Sequence, residues 1–297
     1  MLLTYDISAS DIKIGFVVMS AAACPLLFFV TAPFGRFSLS KDHVLNSLSV
    51  DGIRSWIFME LFAPVTFVYA FMQAPLLDNV PPVPPVSVPQ GLLVGLFLTH
   101  YINRALVSPL RTPSRSRSHL SVVLSAICFN FFNGLMMGTY LRSLTALAYT
   151  VVVFQRPLYW VGVFIWLAGF IGNILHDEIL LNIRRNAKAK GKAKREDDPA
   201  KKGAEYYAVP HGYLYKYISY PNYFCEWVEW TGFAIAAAPF PPLTSPTAFM
   251  QHIHAPWVFL LAEILLMLPR AYKGHQWYLD KFADYPKERK AVVPFLI

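Results

Sequence analysis

The segment Asn222-Tyr-Phe-Cys-Glu226-Trp-Val-Glu229-Trp230 sets two carboxylates and an amide directly before the apolar run Thr231 to Ala238. Helical spacing puts Asn222, Glu226 and Trp230 on one face at i, i+4, i+8, with Glu229 beside them. An ionisable group at membrane depth costs about 2.5–3.5 kcal/mol on insertion scales, so such a face is a functional-site hypothesis by default. Glu60 interrupts another apolar stretch, Trp56-Ile-Phe-Met-Glu60, four residues before Pro64. One reading has it bond to helix backbone freed by the proline. The other makes it a desolvated carboxyl able to donate a proton or hydrogen bond to a substrate carbonyl. Tyr101 and Arg104 share a helix face at i, i+3, with His100 one turn from Arg104. Each alone reads as an interfacial tyrosine and a snorkelling arginine. Together with Glu60 they form a candidate acid pair, a tyrosine hydroxyl plus a carboxyl.

Further along, Asn173 and Asp177 stand at i, i+4, and Arg184 extends their face by two turns. An amide, an acid and an arginine suit an amide, a ribose and a phosphate; a polar helix end at the water interface is the alternative, more so for Glu178. Tyrosines crowd the stretch from Tyr207 to Tyr220, as expected of a partly wet lining. The tail carries Arg270, Lys273, His275, Lys287, Arg289 and Lys290 with Tyr278 and Tyr285 among them, and its cations can meet phosphates, arginine as a bidentate partner and lysine as a point charge.

These residues need a scaffold, and composition names its class. The chain is 55% hydrophobic and only 15% charged, with a mean hydropathy of +0.40, well outside the soluble average. Apolar stretches at 12–30, 53–73, 91–107, 120–140, 158–181, 213–238 and 255–272 each approach the roughly 20 residues that cross a hydrocarbon core. The expectation is an all-α polytopic membrane protein, about seven transmembrane helices in one bundle, forming a single domain over 1–297. The N-terminus has no basic region before its apolar run, so the first helix reads as retained and not as a cleaved signal. Bases concentrate at Arg36 and Lys41, at Arg111, Arg115 and Arg117, from Arg184 to Lys202, and from Arg270 to Lys290. With seven spans all of these fall on one side, which predicts a cytosolic C-terminus and a lumenal N-terminus.

The net charge of +8 is therefore spread over membrane loops, without a nucleic-acid motif. The basic run at 184–205 reads as a solvated cytosolic loop that can also touch anionic lipid headgroups. Cys24, Cys128 and Cys225 are isolated and show no zinc or disulfide spacing. His252 and His254 lack a third ligand nearby, so no metal is expected. No Gly-x-Gly-x-x-Gly or P-loop appears, so a dinucleotide would not sit in a Rossmann domain. Gly91/Gly95 and Gly134/Gly138 read as helix-packing pairs.

At these residues the chain resembles the steroid 5α-reductases. The resemblance rests on Tyr-Ile-Ser-Tyr-Pro-Asn222-Tyr-Phe-Cys-Glu226-Trp-Val-Glu229-Trp230-Thr-Gly232 and on the terminus from Tyr278 through Tyr285-Pro-Lys-Glu-Arg289 to Pro294-Phe. Asn173-x-x-x-Asp177, His100-Tyr101-x-x-Arg104, Gly35-Arg36 and Trp56-x-x-x-Glu60 match more loosely. The resemblance implies a seven-helix membrane reductase that takes NADPH from the cytosol, with most cofactor motifs in 158–297. Carried over by position, Asn173, Asp177, Arg184, Tyr207, Asn222, Glu226, Trp230, Arg270, His275, Tyr278 and Arg289 would line the cofactor pocket. Glu60 and Tyr101 would be catalytic, polarising the 3-oxo group of a 3-oxo-4-ene steroid, while Trp56 and Arg104 would contact substrate. Hydride would pass from C4 of the nicotinamide to C5 of the steroid, and a proton would follow at C4. The chain departs from the family pattern at Ser108, where tyrosine is usual, at Ala208, where a basic residue is common, and in the longer basic loop of 184–205.

The resemblance also implies an endoplasmic reticulum membrane, a lipophilic enone as substrate, contact with membrane lipids, and no obligate protein partner. Two other readings stay open. One is a reductase of the same superfamily acting on a polyprenal or a long-chain enoyl lipid; the absence of an N-terminal soluble domain and the Glu60/Tyr101 pair favour the steroid branch. The other is a non-catalytic sterol-binding membrane protein, which would have no use for Asn173, Asp177, Glu226 and Arg289.

Overall fold

The structure, a computed structural model, describes residues 8–40, 42–76, 85–190 and 206–297. Apolar sequence without internal breaks becomes helix, because a backbone in lipid must satisfy its own hydrogen bonds. The long helices are α1 (Ala9–Phe29), α2 (Gly52–Gln73), α3 (Val88–Ile102), α5 (Leu120–Arg142), α7 (Pro157–Ala189), α8 (Pro221–Ala237) and α10 (Ala255–Lys281); α4 (Ser108–Arg111), α6 (Leu144–Thr150) and α9 (Pro246–His252) are short. Their starts are chemically marked. Ser8 with Asp11 and Ser87 with Gln90 form capping boxes for α1 and α3. The Asp51 carboxylate accepts from Ile53 N and Arg54 N at the start of α2.

Six of the described helices are long and apolar enough to cross a membrane, α3 counting with its continuation to Arg111. The span expected at 213–238 is shorter: residues 213–216 form a single 3₁₀ turn, and α8 begins only at Pro221. Gly212 is left-handed in φ (106°), and Tyr220, preceding a proline, is held out of the α region. Even so, α8 is nearly long enough to cross. Its start faces α7 through Asn222 and Asp177, and its end meets Tyr140 through the carbonyl of Ala237. At about 1.5 Å per residue it spans roughly 25 Å, close to the hydrocarbon thickness. Six described helices thus meet the criteria for a crossing where about seven were expected, and α8 is the candidate for the seventh. The basic run is also corrected at its start, because α7 continues as helix to Ala189, as its alanines, lysines and arginines favour; 191–205 lies outside the described residues.

The bundle pairs α7 with α8, α2 with α5, and α1 with α10. Glycines permit the first two pairings. A Cβ on Gly169 would strike the backbone of Glu229 and the carbonyl of Cys225; one on Gly134 would strike Thr66 and the carbonyl of Ala63. Gly91 and Gly95, expected to pack likewise, have nothing within 4 Å. At one end, β1 (Ser49–Val50) pairs antiparallel with β2 (Ser118–His119) and ties the starts of α2 and α5 together. Nearby, Ile218 bridges Lys290, and Ser219 N and Tyr220 N donate to the carbonyls of Lys290 and Ala291. The C-terminal segment thereby braces the turn that launches α8. The core is aromatic: Phe67 stacks on Phe97 at 4.1 Å, and Trp230 meets Phe259 edge-on at 4.6 Å.

Candidate active site

Between these helices lies a cavity of about 1140 Å³. Its inner end is built on Arg104. Past α3 the chain passes through one π-helical turn, Asn103–Val107, a device frequent at functional sites because it offsets side chains from the α-helical row. Arg104 Nε donates to Glu60 Oε2 at 3.1 Å, and Nη1 donates to Glu226 Oε1 at 2.9 Å and to Oε2 at 3.3 Å. The proline-freed backbone is therefore not the partner of Glu60, which instead meets Arg104 and, at 3.5 Å, Asn130 Nδ2. Trp56 Nε1 donates to the carbonyl of Arg104 at 3.2 Å, and the Arg104 and Arg115 guanidiniums lie 5.3 and 3.5 Å from the Trp56 ring.

Tyr101 faces the same end. Its oxygen accepts from Asn133 Nδ2 at 2.7 Å, which leaves the phenolic hydrogen free to donate elsewhere. His100 Nδ1 lies 2.8 Å from Glu229 Oε1 and so pairs the deepest carboxylate of α8. Asn173 Nδ2 donates to the carbonyl of Asn222 at 3.0 Å and to Glu226 Oε2 at 3.4 Å; Asn222 Nδ2 donates to Asp177 Oδ1 at 3.0 Å. The i, i+4 pairs read on α7 and α8 thus interlock across one helix interface.

The other end is cationic and aromatic. Arg36, Arg184, Arg270 and Lys273 line it, with Tyr207 and Tyr278. Gly35, with φ +58, makes the turn that sends Arg36 inward. There its guanidinium sits 4.5 Å from the Tyr278 ring, 4.8 Å from Trp277 and 5.3 Å from both Tyr207 and Tyr220. Arg36 Nη1 is buried and has no hydrogen-bond acceptor among the described residues. Arg270 is anchored by the carbonyl of Phe34 at 3.2 Å and by the Phe34 ring.

Of the residues expected at a site, Trp56, Glu60, Tyr101, Arg104, Asn173, Asp177, Arg184, Tyr207, Asn222, Glu226, Arg270 and Tyr278 all line this one cavity. Trp230, His275 and Arg289 stand behind its wall. Trp230 packs against His100 at 4.7 Å and Phe97 at 5.9 Å, beneath the carboxylate end. His275 Nδ1 lies 2.7 Å from Ser219 Oγ, which is 2.6 Å from Tyr285 Oη. Burial pushes the Tyr285 hydroxyl above its ordinary pKa, so it remains a protonated partner; its ring stacks on Tyr278 at 5.1 Å. Arg289 donates to the carbonyl of Pro210 at 3.1 Å and covers the Tyr285 ring. Ser108, the departure noted above, also lines the cavity.

The sequence reading missed two polar lining residues, Asn130 on α5 and Glu263 on α10, as well as Asn133, which stands behind Tyr101 one turn from Asn130. Each is a polar residue inside an apolar run, the signal that identified Glu60.

The sequence profile of the family described as 3-oxo-5-alpha-steroid 4-dehydrogenase matches residues 116–297. The chain is 32% identical to the rat 3-oxo-5-alpha-steroid 4-dehydrogenase 1, over 90% of this chain and 87% of that protein. It is 29% identical to the steroid 5-alpha-reductase DET2 of Solanum lycopersicum, over 94% and 93%. An uncharacterized protein of Schizosaccharomyces pombe is 41% identical over 92% and 94%.

Proposed function

The chain belongs to the 3-oxo-5-alpha-steroid 4-dehydrogenase family, and from that footing we propose that it reduces the 4,5 double bond of a 3-oxo-4-ene steroid at the expense of NADPH. The observation that carries the reading is one cavity with hydrogen-bond donors and acids at one end and cations at the other. At about 1140 Å³ it exceeds the roughly 300–1,000 Å³ of a single-ligand pocket, as a site for a cofactor and a lipid together must.

The residues fit the cofactor. The unpaired Nη1 of buried Arg36 calls for an anion, and Arg184, Arg270 and Lys273 add positive charge around it. Asp177 and Asn222 suit a ribose, and Asn173 and Glu226 suit a carboxamide. Trp230, His275 and Arg289 act from behind, holding Glu226 and Tyr278 in position. When bound, NADPH supplies the hydride. Tyr101 and Glu60 grip the oxo oxygen of the substrate. Glu60 and Tyr101 both donate to the oxygen on which negative charge develops, and the low-dielectric site makes those bonds strong. The protein sits in the endoplasmic reticulum membrane, with the cationic mouth toward the cytosol where NADPH is met.

The test is product formation by the purified protein with NADPH and a panel of progesterone, testosterone, a polyprenal and an enoyl-CoA, read by mass spectrometry. A 5α-dihydrosteroid is expected. Reduction of the polyprenal or thioester alone would keep the chemistry and replace the substrate. A steroid bound without turnover, and no NADPH-dependent thermal shift, would make the protein a sterol binder.

A further inference from the structure

Four carboxylates are buried around the inner end of the cavity, and three of them have an arginine or histidine partner. Glu60 and Glu226 bond Arg104, and Glu229 bonds His100. The fourth is Glu263 on α10. It is only 7% exposed, it lines the cavity, and it makes no hydrogen bond or ion pair with any described residue. Its carboxyl is in electrostatic reach of Glu226, Arg104 and Glu60, so it belongs to the same end of the cavity.

A buried carboxyl without a donor is costly, more so in a membrane span. The other polar groups here are turned away. Arg104 spends its Nε and Nη1 on Glu60 and Glu226, while Asn130 Nδ2 bonds the carbonyl of Met59 at 2.9 Å and Asn133 Nδ2 bonds Tyr101. The donor for Glu263 must therefore arrive with a ligand. A plain enone cannot supply it, because a ketone oxygen only accepts. The walls nearby are apolar, formed by Phe16, Phe129, Leu266 and Met267, which suits a lipid carrying a single hydroxyl better than a charged ammonium, whose desolvation would cost more.

We infer that Glu263 is a specificity-determining residue that accepts a hydrogen bond from a hydroxyl on the substrate, so that the preferred substrate is a hydroxylated enone lipid. The inference rests on the reading of this cavity as a steroid-enone site. It narrows the substrate class to molecules with a donor near the reacting ring. Leaving a buried acceptor without its hydrogen bond commonly costs a factor of about 10 to 100, and a site that reserves an acceptor also discriminates against the analogue lacking the hydroxyl.

The experiment compares progesterone with its monohydroxylated isomers on the full-length protein, measuring both binding by thermal shift and kcat/KM with NADPH. For the wild type, at least one isomer should be favoured over progesterone by about 10- to 100-fold. In Glu263→Leu that ratio should fall to near one. Glu263→Gln, which keeps an acceptor, should retain part of it and guards against misfolding of the leucine variant. Turnover with no preference for any isomer, or a preference that survives Glu263→Leu, overturns the inference. So does a weakened NADPH-dependent shift with the steroid ratio unchanged, since Glu263 would then serve the cofactor. A binding preference that Glu263→Leu abolishes, seen without turnover of any steroid, upholds the role of Glu263 and removes the reductase reading instead.

Discussion

At the scale of the residue, Arg104 decides how the inner end works. It is the guanidinium that touches both Glu60 and Glu226, a residue assigned to substrate and one assigned to cofactor. Breaking a buried ion pair leaves uncompensated charge and typically costs about 3–5 kcal/mol. Arg104→Met should therefore lower the denaturation midpoint steeply, and adding Glu60→Gln to it should recover part of the loss; equal midpoints for single and double variants would show the pair to be uncoupled. Glu60→Gln alone should behave differently. Its amide can still accept from Arg104 but lacks the carboxyl proton, so turnover should drop by about 10²–10³ while the NADPH-dependent thermal shift stays intact. Loss of the shift with turnover preserved at saturation would assign Glu60 to the cofactor. Tyr101→Phe should slow the reaction in the same sense, because it removes a donor whose oxygen is already held by Asn133; an unchanged kcat would release the tyrosine from the reaction.

At the scale of the element, the interface of α7 with α8 brings Asn173 and Asp177 to Asn222 and Glu226, and small residues set its width. Gly169 lies against the backbone of α8, so Gly169→Val must push the helices apart. Overpacking of this kind costs about 1–3 kcal/mol, and the same displacement should weaken NADPH binding, measurable by titration beside thermal unfolding. A variant with wild-type midpoint and affinity would refute the tight contact. Much of this interface was legible beforehand: i, i+4 spacing fixes which side chains share a face, so Asn173 with Asp177 and Asn222 with Glu226 could be read directly. The π turn at Asn103–Val107 could not, because a single widened turn leaves no period in the sequence. Nor could spacing tell a packed glycine pair from an idle one, as Gly91 and Gly95 demonstrate; that depends on which helix arrives opposite. Glu263 was visible by the same rule as Glu60 and was overlooked inside an apolar run, whereas the partners of Trp230 and His275 are set by tertiary packing alone.

At the scale of the whole molecule, the contacts sort the charges into two ends. Pairing of β1 with β2 puts the starts of α2 and α5 side by side. His119 N donates to the carbonyl of Pro33, and Lys273 Nζ reaches Thr31 at 2.7 Å, so the end of α1 and the last turns of α10 join them. Arg111 meets Glu178, which also pairs Arg185, and this adds the end of the α3–α4 stretch and of α7. Arg36, Arg111, Arg115, Arg117, Arg184, Arg185, Arg270 and Lys273 therefore gather at one end of the bundle. Arg142 closes α5 and Arg156 precedes α7 at the other. By the positive-inside rule a bias of this size should retain its face in the cytosol, the side on which the proposed function needs the cationic mouth of the cavity. In sealed microsomes, then, a protease added outside should cut within 191–205 and remove a tag fused to the C-terminus. A glycosylation acceptor introduced near Leu243, in the exposed turn after α8, should be modified from the lumen. The reverse pattern would place the cofactor mouth in the lumen and would contradict both the orientation and the proposed source of reducing equivalents.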